Sequence, residues 1–280
     1  MLEGEIAMAD VRSADSTRSS TPLSPMSPSA DIAGSSAIDL RQGAYRVRQA
    51  FHEHDRRAAF LLRFSVFNLE LKEGLESSSQ IGLDTDEFDP VCDHLIVERV
   101  GTNHVVGTYR LQTGAMAKAN LGYYGEREFR FDPYEKIRGQ VVELGRACIH
   151  REHRSTDVLY LLWRGIAQYA LRCGARYLVG CSSLTSQDAA QGLAVYEALR
   201  EYRAVPALRT EPQLAFPLPV VSDAHASTHV PKLLRTYLAI GAKICGPPAI
   251  DRDFKTIDFL TLLDLENLHP RIRARFFPRR

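Results

Sequence analysis

A glutamate inside an apolar run is the residue of this chain best placed to do chemistry. The run is VVELGRACI, residues 141–149, and its carboxylate is Glu143. Side chains alternate between the two faces of a strand, so Glu143 shares a face with Gly145, whereas Arg146 points to the opposite face. A carboxylate withdrawn from water has a raised pKa, which suits a general base. The pattern equally allows a structural ion pair with a distant arginine, or a glutamate that faces water at a sheet edge.

The segment that follows this run is basic and leads into a helix. It is HREHRST, residues 150–156, with Arg151 and Arg154 before Ser155 and Thr156. The first turn of a helix presents free backbone N–H groups and a positive dipole end, so it attracts anions. We expect a phosphate-bearing ligand, such as a pantetheine arm, to dock there. The alternative is an ordinary solvated basic loop.

Carboxylates also cluster in the segment LDTDEFDP, which contains Asp84, Asp86 and Asp89. Their spacing is similar to that of a calcium loop, but the central glycine and the distal glutamate of that loop are missing. The histidines lack the spacing of a zinc site, so we expect no metal. Two interpretations of the acidic segment remain: a surface loop that binds a cationic amine, and a solvated acidic turn.

The hydrophobic pattern predicts the elements that must position these residues. Two β-branched runs, HLIVERV and HVVGTYRLQ, flank the turn GTN and predict a β-hairpin. The run at 141–149 predicts a strand, and Ser155 is placed to cap a helix that closes at Gly174. RYLVGCSS and TIDFLTLLDL predict two more strands, and RRAAFLLRFSVFNLELKEG predicts a helix that ends near Gly74.

The order of these elements predicts the fold class. A strand, a helix and a strand follow one another between residues 141 and 182, which favours two parallel strands joined by a crossover helix. The neighbouring hairpin is antiparallel, so the sheet must be mixed. We therefore expect an α/β protein with a single domain, in which helices flank a mixed central sheet.

Composition predicts the limits of this domain and its surroundings. Residues 1–40 are rich in serine and proline and predict a disordered tail, which leaves residues 41–280 for the folded domain. The formal net charge of +1 is too small for a dedicated nucleic-acid binder, so we expect no nucleic-acid partner. Five scattered cysteines, no signal peptide and no apolar stretch of about 18 residues favour a cytoplasmic protein.

The last segment, HPRIRARFFPRR, interleaves basic and aromatic residues. Clustered basic residues are attracted to anionic membrane surfaces and to acidic proteins. The segment therefore suggests peripheral contact with the inner face of a membrane, and the alternative is a frayed basic terminus. The residues that would make this contact are Arg271, Arg273, Arg275, Phe276 and Phe277.

Seven segments of the chain follow one another in an order typical of one protein family. They are FDPVCDHLIVE, VVGTYRLQTG, GYYGEREFRFDPYE, VVELGRACIHREHR, LLWRGIAQY, YLVGCSS and LLRTYLAIGAKICG. In this order they resemble the L-ornithine Nα-acyltransferases, or lyso-ornithine lipid synthases, within the Gcn5-related N-acyltransferases. The resemblance covers roughly residues 45–277. Through ELGR and DEFD, the chain is also similar to N-acyl amino acid synthases and acyl-homoserine lactone synthases.

The resemblance implies a reaction, a donor and a base. In that reaction a long-chain 3-hydroxyacyl group moves from the thioester of acyl carrier protein to the α-amine of an amino acid, here L-ornithine, with no further cofactor. An amine with a pKa near or above about 8 is mostly protonated at neutral pH, so a base must take its proton. By position this base is Glu143. Gly145 and Arg146 complete the catalytic segment, where backbone N–H groups after the glycine polarise the thioester carbonyl.

The resemblance also implies two binding regions. The residues that bind or order the amino-acid pocket would be Asp86, Asp89 and Arg110. The residues that hold the pantetheine phosphate would be Arg151, Arg154, Ser155 and Thr156. The chain lacks the paired glycines of the CoA-binding loop of the wider group, Q/RxxGxG/A, so we expect acyl carrier protein rather than CoA as the partner that brings the acyl group.

Three alternatives to this function remain. The amino acid could be another one, such as glycine or glutamine. The product could be a diffusible signal, as in the acyl-homoserine lactone synthases, and consumption of S-adenosylmethionine would indicate that reaction. A protein of another class would bind the acyl carrier without any acyl transfer, although such a binder has no need for a strand carboxylate beside a glycine.

Overall fold

The computed structural model describes residues 37–220 and 229–277, and these form a nine-stranded mixed sheet. The strands are β1 Asp39–Gln42, β2 Tyr45–Gln49, β3 Asp93–Arg99, β4 His104–Thr113, β5 Val141–Ile149, β6 Tyr177–Leu184, β7 Lys243–Ile244, β8 Ala249–Asp251 and β9 Thr256–Asp264. Their order in the sheet is β1-β2-β3-β4-β5-β6-β9-β7, and β8 pairs with the start of β9. Only β5 and β6 run parallel among these pairs. The predicted fold class is confirmed.

Helices cover both faces of the sheet. They are α1 Glu53–Phe64, α2 Glu76–Ile81, α3 Gly114–Ala119, α4 Thr156–Arg172, α5 Ala189–Ala198, α6 Lys232–Ala239 and α7 Pro270–Phe276. The crossover helix α4 begins as predicted, because Ser155 Oγ accepts the N–H of Val158 at 3.4 Å. Its apolar face, with Leu161 and Ile166 fully buried, packs on the sheet. This packing fixes the strands on either side of the crossover.

Strands β5 and β6 pair over only a short distance and then separate. The parallel pairing covers Val141 to Glu143 on β5, after which β5 remains beside β4 while β6 remains beside β9. Gly180 lies where the two strands part, and a Cβ atom on it would be 2.3 Å from the carbonyl oxygen of Leu144. Only glycine allows so close an approach of two backbones. The result is a wedge-shaped opening in the sheet that begins just after Glu143.

A β-bulge lies beside this opening. Thr108 faces Cys148 and Arg110 faces Gly145, so β5 has one more residue than β4 between these two pairs. Arg146, in the bulge, has a φ of 51°, in the left-handed region that side chains other than glycine rarely adopt. The regular alternation predicted for the strand is therefore interrupted at Arg146.

The N-terminal part of the domain differs from the prediction. Residues 39–49, which showed no strand pattern, form the β1–β2 hairpin at the sheet edge, and Ile38 is already buried. The folded region therefore begins before residue 41, and the rest of the predicted tail, residues 1–36, lies outside the described residues. The predicted helix near Gly74 is α1 followed by a π-helical segment, Ser65–Leu71.

The C-terminal segment folds back onto the protein. Phe276 lies 6.0 Å from Trp163 between ring centres, Tyr160 donates a hydrogen bond to the carbonyl of Arg275, and Phe277 is partly buried against the same core. The predicted membrane contact is thus not supported, because α4 already covers the aromatic residues that were expected to provide it. In the part of the chain that is described, no helix has both the length and the apolarity to cross a bilayer.

Candidate active site

A cavity of about 300 Å³ occupies the opening between β5 and β6. Its wall includes residues from both faces of the sheet. On the α4 side the wall is mainly apolar, with Leu144, Trp163, Leu178 and Tyr237. On the opposite side it contains Glu143 and other polar groups. The cavity therefore passes through the sheet and joins an apolar chamber to a polar one.

Glu143 lies at the narrow end of the opening. The carboxylate is 6% exposed, and its two oxygens accept the backbone N–H groups of Tyr124 and Gly125, each at 2.7 Å. Burial raises the pKa of Glu143 to about 7, against the opposing effects of these two hydrogen bonds and of the charge of Arg110. The carboxylate can therefore hold or release a proton at neutral pH, which a general base requires.

Gly145 and Arg146 follow Glu143 on the cavity wall. A Cβ atom on Gly145 would have only Arg110 Nε nearby, at 4.0 Å, so this backbone is open to the cavity. The guanidinium of Arg146 lies 4.2 Å from the ring centre of Phe254, and its Nε is buried without a hydrogen-bond partner in the described part of the chain. Arg146 thus has a free donor at the cavity.

The acidic segment forms a buried ion-pair network behind this wall. Arg63 pairs with Asp84 and with Asp89 at 2.7 Å each, and Arg110 pairs with Asp86 at 2.6 Å. Arg146 completes the network through Asp86, at 3.3 Å. The segment is therefore neither a solvated turn nor a loop with free carboxylates for an amine, because Asp84 and Asp89 are buried, the side chain of Asp86 is 7% exposed, and all three pair with arginines.

The three residues expected at the amino-acid pocket divide into two groups. Arg110 is on the cavity wall, as is Arg146 of the predicted catalytic segment, whereas Asp86 and Asp89 lie behind the wall and hold these guanidiniums in place. Burial alone would raise the pKa of Asp89, but Arg63 and Arg110 together keep it well below its usual range. The two aspartates are thus placed to order the pocket rather than to contact a ligand.

The residues expected to bind the donor phosphate lie outside the cavity. Arg151, Arg154, Ser155 and Thr156 are exposed and follow the end of β5, where β5 no longer pairs with β6. Ser155 caps α4, and Arg154 forms an ion pair with Glu70 at 2.7 Å. Their role in donor binding stays a prediction.

Three buried carboxylates on the polar side were not identified from the sequence. Glu128, Asp251 and Asp258 place one oxygen each within 4.8 Å of the others, and Asp251 and Asp258 line the cavity. Asp258 gave a signal, since it interrupts the apolar run TIDFLTLLDL as Glu143 interrupts its own run. Glu128 and Asp251 lie in polar surroundings in the sequence, so nothing distinguished them from solvated residues.

Comparison with known proteins shows the family. A family model described as "Acetyltransferase (GNAT) domain" matches residues 62–164. An L-ornithine N(alpha)-acyltransferase of Brucella abortus is 32% identical over 85% of this chain and 90% of its own. Another, of Agrobacterium fabrum, is 30% identical over 93% of this chain and 94% of its own.

A solved structure is also similar in part. FeeM, an N-acyl amino acid synthase from uncultured soil microbes, matches with a TM-score of 0.48 and 11% identity over 83% of this chain and 95% of its own. The family itself follows from the sequence relatives, whose identity extends over nearly the whole length of both chains. This chain is an acyltransferase and belongs to the L-ornithine Nα-acyltransferase family.

Proposed function

We propose that this protein transfers an acyl group to the α-amine of L-ornithine. One observation carries the proposal: Glu143 is a buried carboxylate with a pKa near neutrality, on the wall of a cavity where β5 and β6 part. The names of the relatives supply the substrate. Together they support an N-acyltransferase in which Glu143 is the base.

The reaction needs a base and a site for the developing negative charge. Glu143, directly or through a water molecule, takes a proton from the α-ammonium group, and the free amine then attacks the thioester carbonyl. Backbone N–H groups from Gly145 onward lie on a strand edge without a β6 partner, so they are placed to stabilise the oxyanion. Collapse of the tetrahedral intermediate forms the amide and releases the thiol, which takes up a proton.

The α-carboxylate of the amino acid would bind Arg110 and Arg146. Both guanidiniums face the cavity, and Arg146 Nε has no partner among the described residues. Paired guanidiniums suit a carboxylate, because their N–H groups match its geometry. This position holds the α-amine on the Glu143 side of the opening.

The acyl chain would occupy the apolar chamber on the α4 side. Leu144, Leu178 and Leu234 line this chamber, as do Trp163 and Tyr237. The indole Nε1–H of Trp163 is buried and has no hydrogen-bond partner within residues 37–220 and 229–277. It is a suitable donor for the hydroxyl of a 3-hydroxyacyl chain.

The donor is proposed to be acyl carrier protein. The exposed start of α4, with Arg151 and Ser155, follows the strand that leads out of the opening, so a phosphopantetheine arm could enter beside it. The direct test uses purified protein, L-ornithine and one acyl chain presented either on acyl carrier protein or on CoA. Mass spectrometry should find N-acylornithine with the carrier-bound donor at a much higher rate; equal rates would reject the carrier preference.

The substrate is tested in cells. Expression in a host without aminolipids, followed by mass spectrometry of the lipid extract, should reveal N-(3-hydroxyacyl)ornithine. Acylation of a different amino acid would support the proposed reaction type but reject ornithine as the substrate. Absence of any N-acyl amino acid, in cells and with purified components alike, would reject the proposed function.

A further inference from the structure

Two groups of acids with little exposure to solvent lie near the cavity, and they differ in one respect. In the network of the acidic segment, Asp84, Asp86 and Asp89 are each within ion-pair distance of an arginine. The second group, called here the acid triad, consists of Glu128, Asp251 and Asp258. Across residues 37–220 and 229–277, no arginine, lysine or histidine lies within ion-pair distance of a triad carboxylate.

The triad is buried as deeply as the paired acids. Its members are 1%, 5% and 4% exposed in chain order. Transfer of a carboxylate from water into a protein interior is costly unless a cation or several hydrogen bonds compensate. A positive charge is therefore missing from this part of the cavity.

The hydrogen bonds of the triad do not compensate for this missing positive charge. Asp251 accepts two backbone N–H groups, those of Asp253 and Phe254, at 2.8 and 2.9 Å. The thiol of Cys181 donates to Glu128 Oε2 at 3.7 Å. Thr256 Oγ1 donates to Asp258 Oδ2 at 3.4 Å. The other oxygens, Glu128 Oε1 and Asp258 Oδ1, are buried and have no hydrogen-bond partner among the described residues, although Asp258 lines the cavity.

The pKa values of Glu128 and Asp258 reflect this lack of a compensating positive charge. Burial, reinforced by the charges of Asp258 and Asp251, raises the pKa of Glu128 well above its usual range. Burial likewise raises the pKa of Asp258 to about 6. Glu128 therefore favours its neutral form, while Asp251 and Asp258 line the cavity, an arrangement of buried acidic oxygens that accepts a cation with N–H donors.

The triad lies on the same face of the sheet as the proposed base. Glu143 is opposite Val179 on β6, and Asp258, on β9, is opposite Ser183. These two β6 residues are four apart and β6 lies between β5 and β9, so the side chains of Glu143 and Asp258 point to one face and their backbones are about 16 Å apart. The two carboxylate side chains, together with an extended diamino acid and a hydrogen bond at each end, cover that distance.

We propose that the acid triad binds the side-chain ammonium group of the amino-acid acceptor and so selects diamino acids. The inference rests on the proposed function, because it assumes that the α-amine of the same molecule lies at Glu143. Two charges then position the acceptor: its α-ammonium at the base and its distal ammonium at the triad. An amino acid with an uncharged side chain leaves the buried polar groups of the triad without a partner. A site of this kind discriminates strongly between diamino acids and amino acids that lack the second amine.

The test compares L-ornithine with L-norvaline, which has the same carbon chain but no distal amine. With one acyl-carrier donor and the full chain, kcat/KM should favour ornithine. In Asp258→Asn it should fall about 100-fold for ornithine and change by less than about threefold for norvaline. The matched control is Asp253→Asn, an exposed carboxylate in the same turn whose side chain lies outside the cavity; both acceptors should react as with the unaltered protein.

Several outcomes would overturn the inference. They are equal losses for both acceptors in Asp258→Asn, no preference of the unaltered protein for ornithine, or a stoichiometric divalent metal in the purified protein that the variant lacks. If Asp258→Asn does not fold, as judged by its melting curve, Asp251→Asn replaces it under the same criteria, because Asp251 also lines the cavity.

A binding measurement separates this inference from the proposed function. Calorimetry without any acyl donor should detect binding of ornithine but not of norvaline, and Asp258→Asn should lose the ornithine signal. Failure of acyl transfer to both acceptors, with this binding pattern intact, would reject the proposed function and keep the subsite. Transfer to both acceptors at equal rates would reject the ammonium-binding role of the triad but retain the proposed acyltransferase function.

Discussion

Two buried carboxylates near the cavity have pKa shifts of opposite sign. Burial raises the pKa of Glu143 to about 7, because only backbone N–H groups contact its oxygens. Asp89 is also buried, yet Arg63 and Arg110 keep its pKa below the usual range. A full positive charge outweighs burial, whereas two peptide dipoles do not. This difference separates a residue that can exchange protons at neutral pH from one that stays ionised.

The pKa of Glu143 predicts a pH profile. A base must be deprotonated to act, so kcat/KM should fall about tenfold per pH unit below about 7. In Glu143→Gln, kcat/KM at pH 8 should be lower by about 100-fold or more, and the dependence due to Glu143 should disappear. Steady-state assays from pH 5.5 to 8.5 would measure both effects.

A purely structural role of Glu143 makes a different prediction. Its oxygens accept the N–H groups of Tyr124 and Gly125, and the amide group of glutamine would turn a donor towards one of them. Loss of one of these hydrogen bonds would destabilise the backbone at residues 124–125. This would lower the melting temperature and reduce activity without changing the pH profile. A variant that retains the profile, whatever its rate, would show that Glu143 is not the base.

At the scale of elements, the separation of β5 and β6 creates the site. A continuous parallel pair would fill the space that the cavity occupies, and Glu143 would then face a closed sheet. The close approach at Gly180 lets the strands meet at one end, while the bulge at Arg146 directs the next residues of β5 away from regular pairing. Short pairing followed by separation therefore leaves a backbone edge of β5 beside the cavity.

We expect Gly180→Ala to force the strands apart. Its Cβ would lie 2.3 Å from the oxygen of Leu144, so the backbone must shift at the start of the opening. The free energy of unfolding should fall by about 1–3 kcal/mol, as for overpacked interiors. Acyl transfer should fall as well, because the adjacent Glu143 would move relative to the donor site. Chemical denaturation and the product assay measure the two effects.

A matched control for this substitution is Gly139→Ala. A Cβ atom on Gly139 would meet nothing within 4 Å, and its backbone is not left-handed. The unfolding free energy of this variant should remain within about 1 kcal/mol of the unaltered protein. Equal stability of both variants would contradict the role given to Gly180.

At the scale of the whole molecule, the arginine network joins distant parts of the chain. Arg63 comes from α1, Arg110 from β4 and Arg146 from β5, and all three pair with carboxylates of residues 84–89. Ion pairs this deeply buried give little net stability against apolar replacements, but removal of one partner is costly. The network thus fixes the relative position of the cavity wall and the loop behind it.

Arg63→Met should destabilise the protein strongly at neutral pH. The change would remove the 2.7 Å partner of both buried aspartates, leaving Asp84 with the longer contact to Arg146 at 3.6 Å and Asp89 with Arg110 at 3.2 Å, at a cost of about 3–5 kcal/mol. Arg57→Met, an exposed arginine of the same helix, is the control and should stay within about 0.5 kcal/mol. Urea denaturation at pH 7 would compare the two variants.

The pH dependence of this effect has a defined sign. Because the pKa of Asp89 is lowered in the folded protein, its stabilisation is present above the unfolded value of 3.8 and is lost as the pH falls below it. The difference between Arg63→Met and the unaltered protein should therefore shrink from pH 7 towards pH 3. A constant difference would show that lost packing, and not the ion pairs, causes the destabilisation.

The sequence determined the principal elements and the base candidate. The β3–β4 hairpin, β5, α4 and β6 follow from local patterns of hydrophobic residues, turn residues and a helix cap, which a short window of sequence contains. Glu143 was evident because a charge in an apolar run has few local explanations. The family followed from the order of seven segments, and the relatives confirm it.

Only the tertiary structure decided which acids are paired and which are not. The sequence shows carboxylates at 84, 86 and 89 as an acidic segment, yet they are buried because arginines from three other elements reach them. Glu128 comes from the segment before β5, whereas Asp251 and Asp258 lie on the paired strands β8 and β9, so only the tertiary fold brings the three together. Charge compensation depends on distances between atoms, and long-range strand pairing sets those distances, so no local pattern could predict the triad or the cavity it faces.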